Sequence, residues 1–275
     1  MKWIMGIAAI MLATSFGFQA KAKKMLVLYY SQTMNTKVVA QTIADKLGAD
    51  IKEITLVNPY EADFNTTIER CKKVREQGIT PEIKPIKAEI KKYDVIFLGY
   101  PIWFGTYAPP IATWLDKVDL SGKTIVPFCT FGSGGLESSV KQLAQKQPNA
   151  KILDGYGVRA ARMNAMPKEV DQFLKASGFL KGEYVKLGEF SVPHVVSEED
   201  VAIFDAAVGD YPMIKARALT VAKREIPDGM EYLFTASEKR EGPVDKNINL
   251  RPPKEMHIYV IVVNGQAPEF TKVVR

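Results

Sequence analysis

"LVLYYSQTMNTKVVAQTIADKL", residues 26–47, decides the fold. It opens on an unbroken apolar run, the pattern of a strand covered on both faces. It closes on Val38, Val39, Thr42, Ile43 and Leu47 at helical spacing, with Gly48 as the stop. Between the two, Ser31, Gln32, Thr33, Asn35 and Thr36 crowd hydroxyls and amides into one turn. A helix N-terminus offers free backbone N–H groups and a partial positive charge, so a phosphate docks well there. The side chains add neutral donors. Neither the lysine of a P-loop nor G-x-G-x-x-G is present. The turn reads as a cradle for one phosphate monoester, or else as a polar turn that only caps a helix.

Outward from this stretch the alternation repeats. Strands are expected at 25–30, 51–57, 94–101, 123–131 and 150–158, and helices after 36 and at 64–78, 109–118, 136–147 and 167–178. Five strands alternating with five helices give a doubly wound parallel sheet, with ligands bound at the carboxyl ends of the strands. Near 181 the texture changes. A strand is expected at "YVKLGEF", then a helix capped by Ser197 with Asp200 in a capping-box position. Three further strands follow: around "ALTVAKREI", in "MEYLFTASEKR" and in "MHIYVIVVNG". They are joined by the turn at 227–229 and a polar loop at 242–253, and "EFTKVV" closes the chain. This is the pattern of a small antiparallel α+β domain.

The 275 residues carry a net charge of +6, but the basic residues are scattered. The dense basic face of a nucleic-acid binder is missing. The start is different in kind. Lys2, the 16-residue apolar run "WIMGIAAIMLATSFGF" and the Ala20-Lys21-Ala22 site have the form of a secretory signal peptide over residues 1–22. The run is short of the ~20 residues a membrane span needs, so no stable membrane span is expected after cleavage. An extracytoplasmic location, periplasmic or secreted, follows. Export permits a disulfide, yet Cys71 and Cys129 read as two separately packed thiols. His194 and His257 lie far apart without carboxylates at ligand spacing, so no metal site is expected.

Two more loops join the first. "YPIWFGTYAPP", residues 100–110, sets Trp103, Phe104 and Tyr107 at a strand end, where exposed aromatics are costly unless they meet a flat ligand. "TFGSGGLESS", residues 130–139, is glycine-rich and lets a backbone approach a ligand closely. Through "YYSQTMNTK", "GYPIWFGTYAPPIATWLD" and "SGKTIVPFCTFGSGG", residues 25–178 resemble a flavodoxin of the short type. The resemblance implies FMN as cofactor. Ser31, Gln32, Thr33, Met34, Asn35 and Thr36 would form the phosphate loop. Pro101, Ile102, Trp103, Phe104, Gly105 and Thr106 would line the isoalloxazine ring, and Thr130, Phe131, Gly132, Ser133 and Gly134 its other flank. The family usually has Gly where this chain has Met34, so that side chain must point outward or the loop must avoid a positive φ.

Residues 183–275 resemble the cystatin-like fold, without the Gln-x-Val-x-Gly inhibitor motif: "REIPDG" stands in its place. With residues 23–180 as the flavodoxin-like unit, all ligand loops precede the second domain. The expected function is electron transfer through FMN to a redox partner protein, or reduction of a quinone-type small-molecule acceptor. No catalytic acid–base residue is assigned. The alternative is a non-redox partner-binding protein that keeps the flavodoxin scaffold and uses the cystatin-like domain for contact.

Overall fold

The computed structural model describes residues 23–61, 63–209, 211–239 and 254–275. The proposed signal peptide and the polar loop at 242–253 lie outside them. The first unit runs β1 (Met25–Tyr29), α1 (Asn35–Leu47), β2 (Asp50–Glu53), α2 (Phe64–Glu76), β3 (Val95–Trp103), β4 (Thr106–Tyr107) and α3 (Pro109–Leu115). It continues through β5 (Thr124–Phe131), α4 (Leu136–Lys146), β6 (Lys151–Ile152), β7 (Tyr156–Arg159) and α5 (Met166–Ala176). The parallel order is β2-β1-β3-β5, with β6 and β7 both pairing β5. The fifth strand expected at 150–158 is thus two short strands. They are separated at Gly155, where a Cβ would stand 2.8 Å from the Pro127 carbonyl oxygen.

The apolar runs are explained by the two faces of this sheet. Leu26, Leu28, Ile96, Leu98 and Ile125 point to one layer with Ile111, Trp114 and Leu143. Val27, Tyr29, Val95, Phe97 and Val126 point to the other with Val39, Ile43, Val170 and Leu174. Phe179 and Leu180 pack into that second layer, Phe179 edge-on to Phe97 at 5.0 Å. Strand order reverses between β1 and β3, so the loops after β1, β3 and β5 gather at one edge, where such sheets bind ligands. Both thiols are free and buried, Cys71 on α2 and Cys129 inside β5.

The second unit comprises β8 (His194–Val195), α6 (Glu198–Val208), β9 (Ala216–Ile226), β10 (Gly229–Glu238), β11 (Glu255–Val263) and β12 (Glu269–Val274). Its antiparallel order is β12-β11-β10-β9-β8. One sheet face buries Val221, Phe234, Ile258, Val260 and Phe270 against Phe204 and Val208 of α6. Ser197 and Asp200 form the expected capping box. The strand expected at 184–190 does not form. That segment instead crosses beside β9, held by Ser191 to the Lys223 backbone and by Phe190 against Arg224 and Tyr259. Pairing begins only at β8.

Candidate functional site

The first loop joins β1 to α1. Met34 is the N-cap of α1 at φ 68, in the left-handed region, and donates no side-chain cap. It resolves the question left by its bulk: the positive φ is kept and the side chain points outward, 56% exposed. The Lys37 amide reaches back to Ser31 Oγ at 3.2 Å. The first-turn amides before it have no partner within the helix, as at any helix N-terminus. Gln32 is a brace: its Oε1 accepts from Tyr30 Oη at 2.6 Å and its Nε2 donates to the Glu61 carbonyl at 3.1 Å. Thr36 is buried and shares a 2.8 Å hydrogen bond with Thr130 at the end of β5. Its hydroxyl therefore ties the first loop to the third.

The second loop is a tight hairpin. Ile102 pairs Tyr107 and Trp103 pairs Thr106, with Phe104 at φ 52 and Gly105 at φ 79. Two successive positive φ values make the turn that matches strand twist. A phenylalanine there is strained by roughly 1–2 kcal/mol. The three aromatics have different fates. Trp103 turns inward, edge-on to Tyr30 at 6.0 Å and to Tyr60 at 5.2 Å. Tyr107 packs on Tyr100. Phe104 stands at the tip, 47% exposed. α4 braces the hairpin: Ser138 Oγ donates to the Gly105 carbonyl at 2.6 Å and Thr106 Oγ1 to Gln142 Oε1 at 2.7 Å.

The third loop, Thr130–Gly135, is met from the hairpin, from β12 and from β7. Ile102 lies against Gly135, so the second and third loops touch. β12 of the other unit meets Ser133 and Gly134: the Val273 amide donates to the Ser133 carbonyl at 2.7 Å. Arg159, buried at the end of β7, donates to the Gly132 carbonyl at 2.9 Å and to the Phe270 carbonyl at 2.8 Å.

The donor set suits a phosphate and a flat neutral ring. Residues 31–36, 100–108 and 130–135 hold no Asp, Glu, His, Lys or Arg. Burial pushes the nearby Tyr30, Tyr60 and Tyr100 phenols above the usual tyrosine range, so none ionises near neutrality.

Sequence reasoning missed three contributors. Tyr60 and the 58–61 segment are drawn in by Arg70, which donates to the Pro59 and Asn58 carbonyls. Arg159 is a lone basic residue in a strand. Nothing in the local pattern of β12 marks Val273, because the contact depends on how two units pack. Among the described residues no group of His, Cys, Asp or Glu is placed to hold a metal.

A doubly wound sheet with three loops gathered at its switch point is an architecture in which α/β proteins bind ligands. A flavodoxin family model matches residues 24–172, just over half of the chain. The chain belongs to the flavodoxin family, and FMN is its cofactor. An uncharacterized protein of Methanocaldococcus jannaschii is 33% identical over 125 residues, 45% of this chain. The chain spans 65% of that relative's length. Among solved structures, a flavoprotein of Lactobacillus acidophilus in complex with FMN is 27% identical, covering 55% of this chain and 97% of that one at a TM-score of 0.46. A protein of Bacteroides eggerthii described as a flavoprotein is 31% identical, with 54% and 96% covered and a TM-score of 0.47.

Proposed function

We propose that the protein is an exported electron-transfer flavoprotein, which passes electrons through FMN to a redox partner protein or a quinone-type small molecule. The observation that carries this reading is the convergence of three strand-end loops that contain donors, aromatics and glycines but no acidic or basic side chain. The flavin supplies the redox chemistry when bound. The residues do the rest. The amides of Asn35 and Thr36 and the side chains of Ser31, Thr33 and Asn35 hold the phosphate at the start of α1. Phe104 and the Trp103 backbone flank one side of the ring, and Thr130–Gly134 the other. The signal-like pattern at residues 1–22 supports a location outside the cytoplasm. Among the described residues no helix is long and apolar enough to cross a membrane.

Flavin fluorescence titration tests the reading. Quenching of FMN is expected at low micromolar protein or below. Thr33→Ala and Asn35→Ala should each weaken FMN by roughly 1.5–3 kcal/mol, the value of a hydrogen bond to a charged group. Riboflavin lacks the phosphate and should lose far less. Equal losses for the two flavins would show that the loop is misassigned. No quenching by the unaltered protein would leave the partner-binding scaffold as the function.

A further inference from the structure

The third loop is crowded from outside the ring site. A Cβ on Gly134 would overlap the Val273 carbonyl oxygen, and one on Gly132 would stand 2.8 Å from the Tyr211 hydroxyl. Gly134 is not among the positive-φ residues. Space, not backbone shape, requires a glycine at that position. The glycines that sequence reading assigned to close ligand approach therefore also admit the second domain. Arg159 completes the junction. Its guanidinium lies 3.4 Å from the centre of the Phe270 ring and 5.3 Å from that of Tyr211. It bonds one carbonyl from the loop and one from β12. Lys272 of the same strand reaches Glu137 at the start of α4 at 2.6 Å.

We propose that Val273 and Arg159 are positioning residues for the cofactor. Docked β12 holds Thr130–Gly134 in the shape that flanks the ring, so flavin occupancy and docking of the second domain are one coupled equilibrium. This rests on the flavin site proposed above. The physical basis is loop entropy. Gly132, Gly134 and Gly135 leave the loop little restraint of its own, and ordering a residue costs roughly 1–2 kcal/mol. A strand that orders the loop beforehand removes that cost from binding. Linkage then requires the converse: flavin must favour the docked domain by the same factor.

Two measurements test this on the full-length protein as purified. The first is hydrogen exchange over residues 269–275. Saturating FMN is expected to slow exchange there, because the Val273 amide bonds the loop only when β12 is docked. The second is flavin titration of Val273→Pro, which removes that amide without changing the ring loop, and of Gly134→Ala, which drives β12 away. Both variants should bind FMN and riboflavin roughly tenfold more weakly, within the usual range of coupling between sites. The two flavins should lose equally, since the loop meets the ring and not the phosphate. Exchange indifferent to FMN, or Val273→Pro binding both flavins as the unaltered protein does, would overturn the proposal. An FMN loss larger than the riboflavin loss would overturn it too, since the defect would then lie at the phosphate. An unaltered protein that binds no flavin defeats the proposed function instead, and the control titration shows that directly.

Discussion

At the scale of the residue, the first loop is held against its own stereochemistry. Met34 sits at φ 68 with no side-chain cap to offset the strain, and a left-handed conformation costs an L-residue roughly 1–2 kcal/mol. The loop tolerates it because its neighbours fix it from three sides: Ser31 to the Lys37 amide, Gln32 to Glu61, and Thr36 to Thr130. Met34→Gly should relieve the strain and raise stability by up to about 1 kcal/mol, part of the gain being offset by the freer unfolded glycine. Thermal unfolding reads this directly. Destabilisation would mean that the exposed thioether makes a packing contribution larger than the strain. The crowding of hydroxyls and amides at the start of a helix was legible in the sequence. Which of them brace the loop was not legible. The bracing role of Thr36 depends on Thr130, which lies 94 residues away.

At the scale of the element, local signals performed best where a single segment contains its own reason. The capping box of α6 is such a case, since Ser197 and Asp200 are three positions apart. Asp200 is also more than a cap. Burial alone would raise its carboxyl, but Lys223 at 2.7 Å and the Ser197 amide and hydroxyl outweigh it and hold it at about 2. An ordinary aspartate titrates near 3.9. The folded value is depressed, so this contribution to stability is complete above about pH 4 and is lost as pH falls towards 2. Urea unfolding across that range should show the loss in the second unit, and Asp200→Asn should flatten it while lowering stability at pH 7. An unchanged acid limb in the variant would assign the acid sensitivity elsewhere. The strand expected at 184–190 failed for the opposite reason. Those residues meet β9 through Phe190 against Arg224 and through the Gly188 carbonyl, which accepts from the Arg224 side chain, and Ser191 just beyond them exchanges two hydrogen bonds with Lys223. Periodicity does not say whether an edge is there to pair with.

At the scale of the whole molecule, the parallel sheet was legible because apolar runs, helical spacing and stop signals all agree along residues 25–178. The junction between the two units was not. It rests on Arg159 and Arg162, two buried cations whose partners on β12 lie 111 and 107 residues away. Arg162 bonds Glu169 on α5 at 2.8 Å and Glu269 on β12 at 2.9 Å. Arg162→Met should remove the strut and cost roughly 1–3 kcal/mol for the bonds left unmade. Calorimetry of the unaltered protein should give one coupled transition, and the variant should separate it into two. A variant trace that superposes on the original would show that the arginine is idle. The Val273–Ser133 contact also bears on how the protein is made. Lys272 and Glu137, beside that contact, are 135 residues apart. Chains emerge N-terminal end first, and domains generally fold as they emerge. The parallel sheet and its first two loops therefore form while β12 is still unsynthesised. On the coupling proposed above, a newly made molecule passes through a stage in which Thr130–Gly135 is unpinned, and firm capture of FMN waits for β12 to arrive.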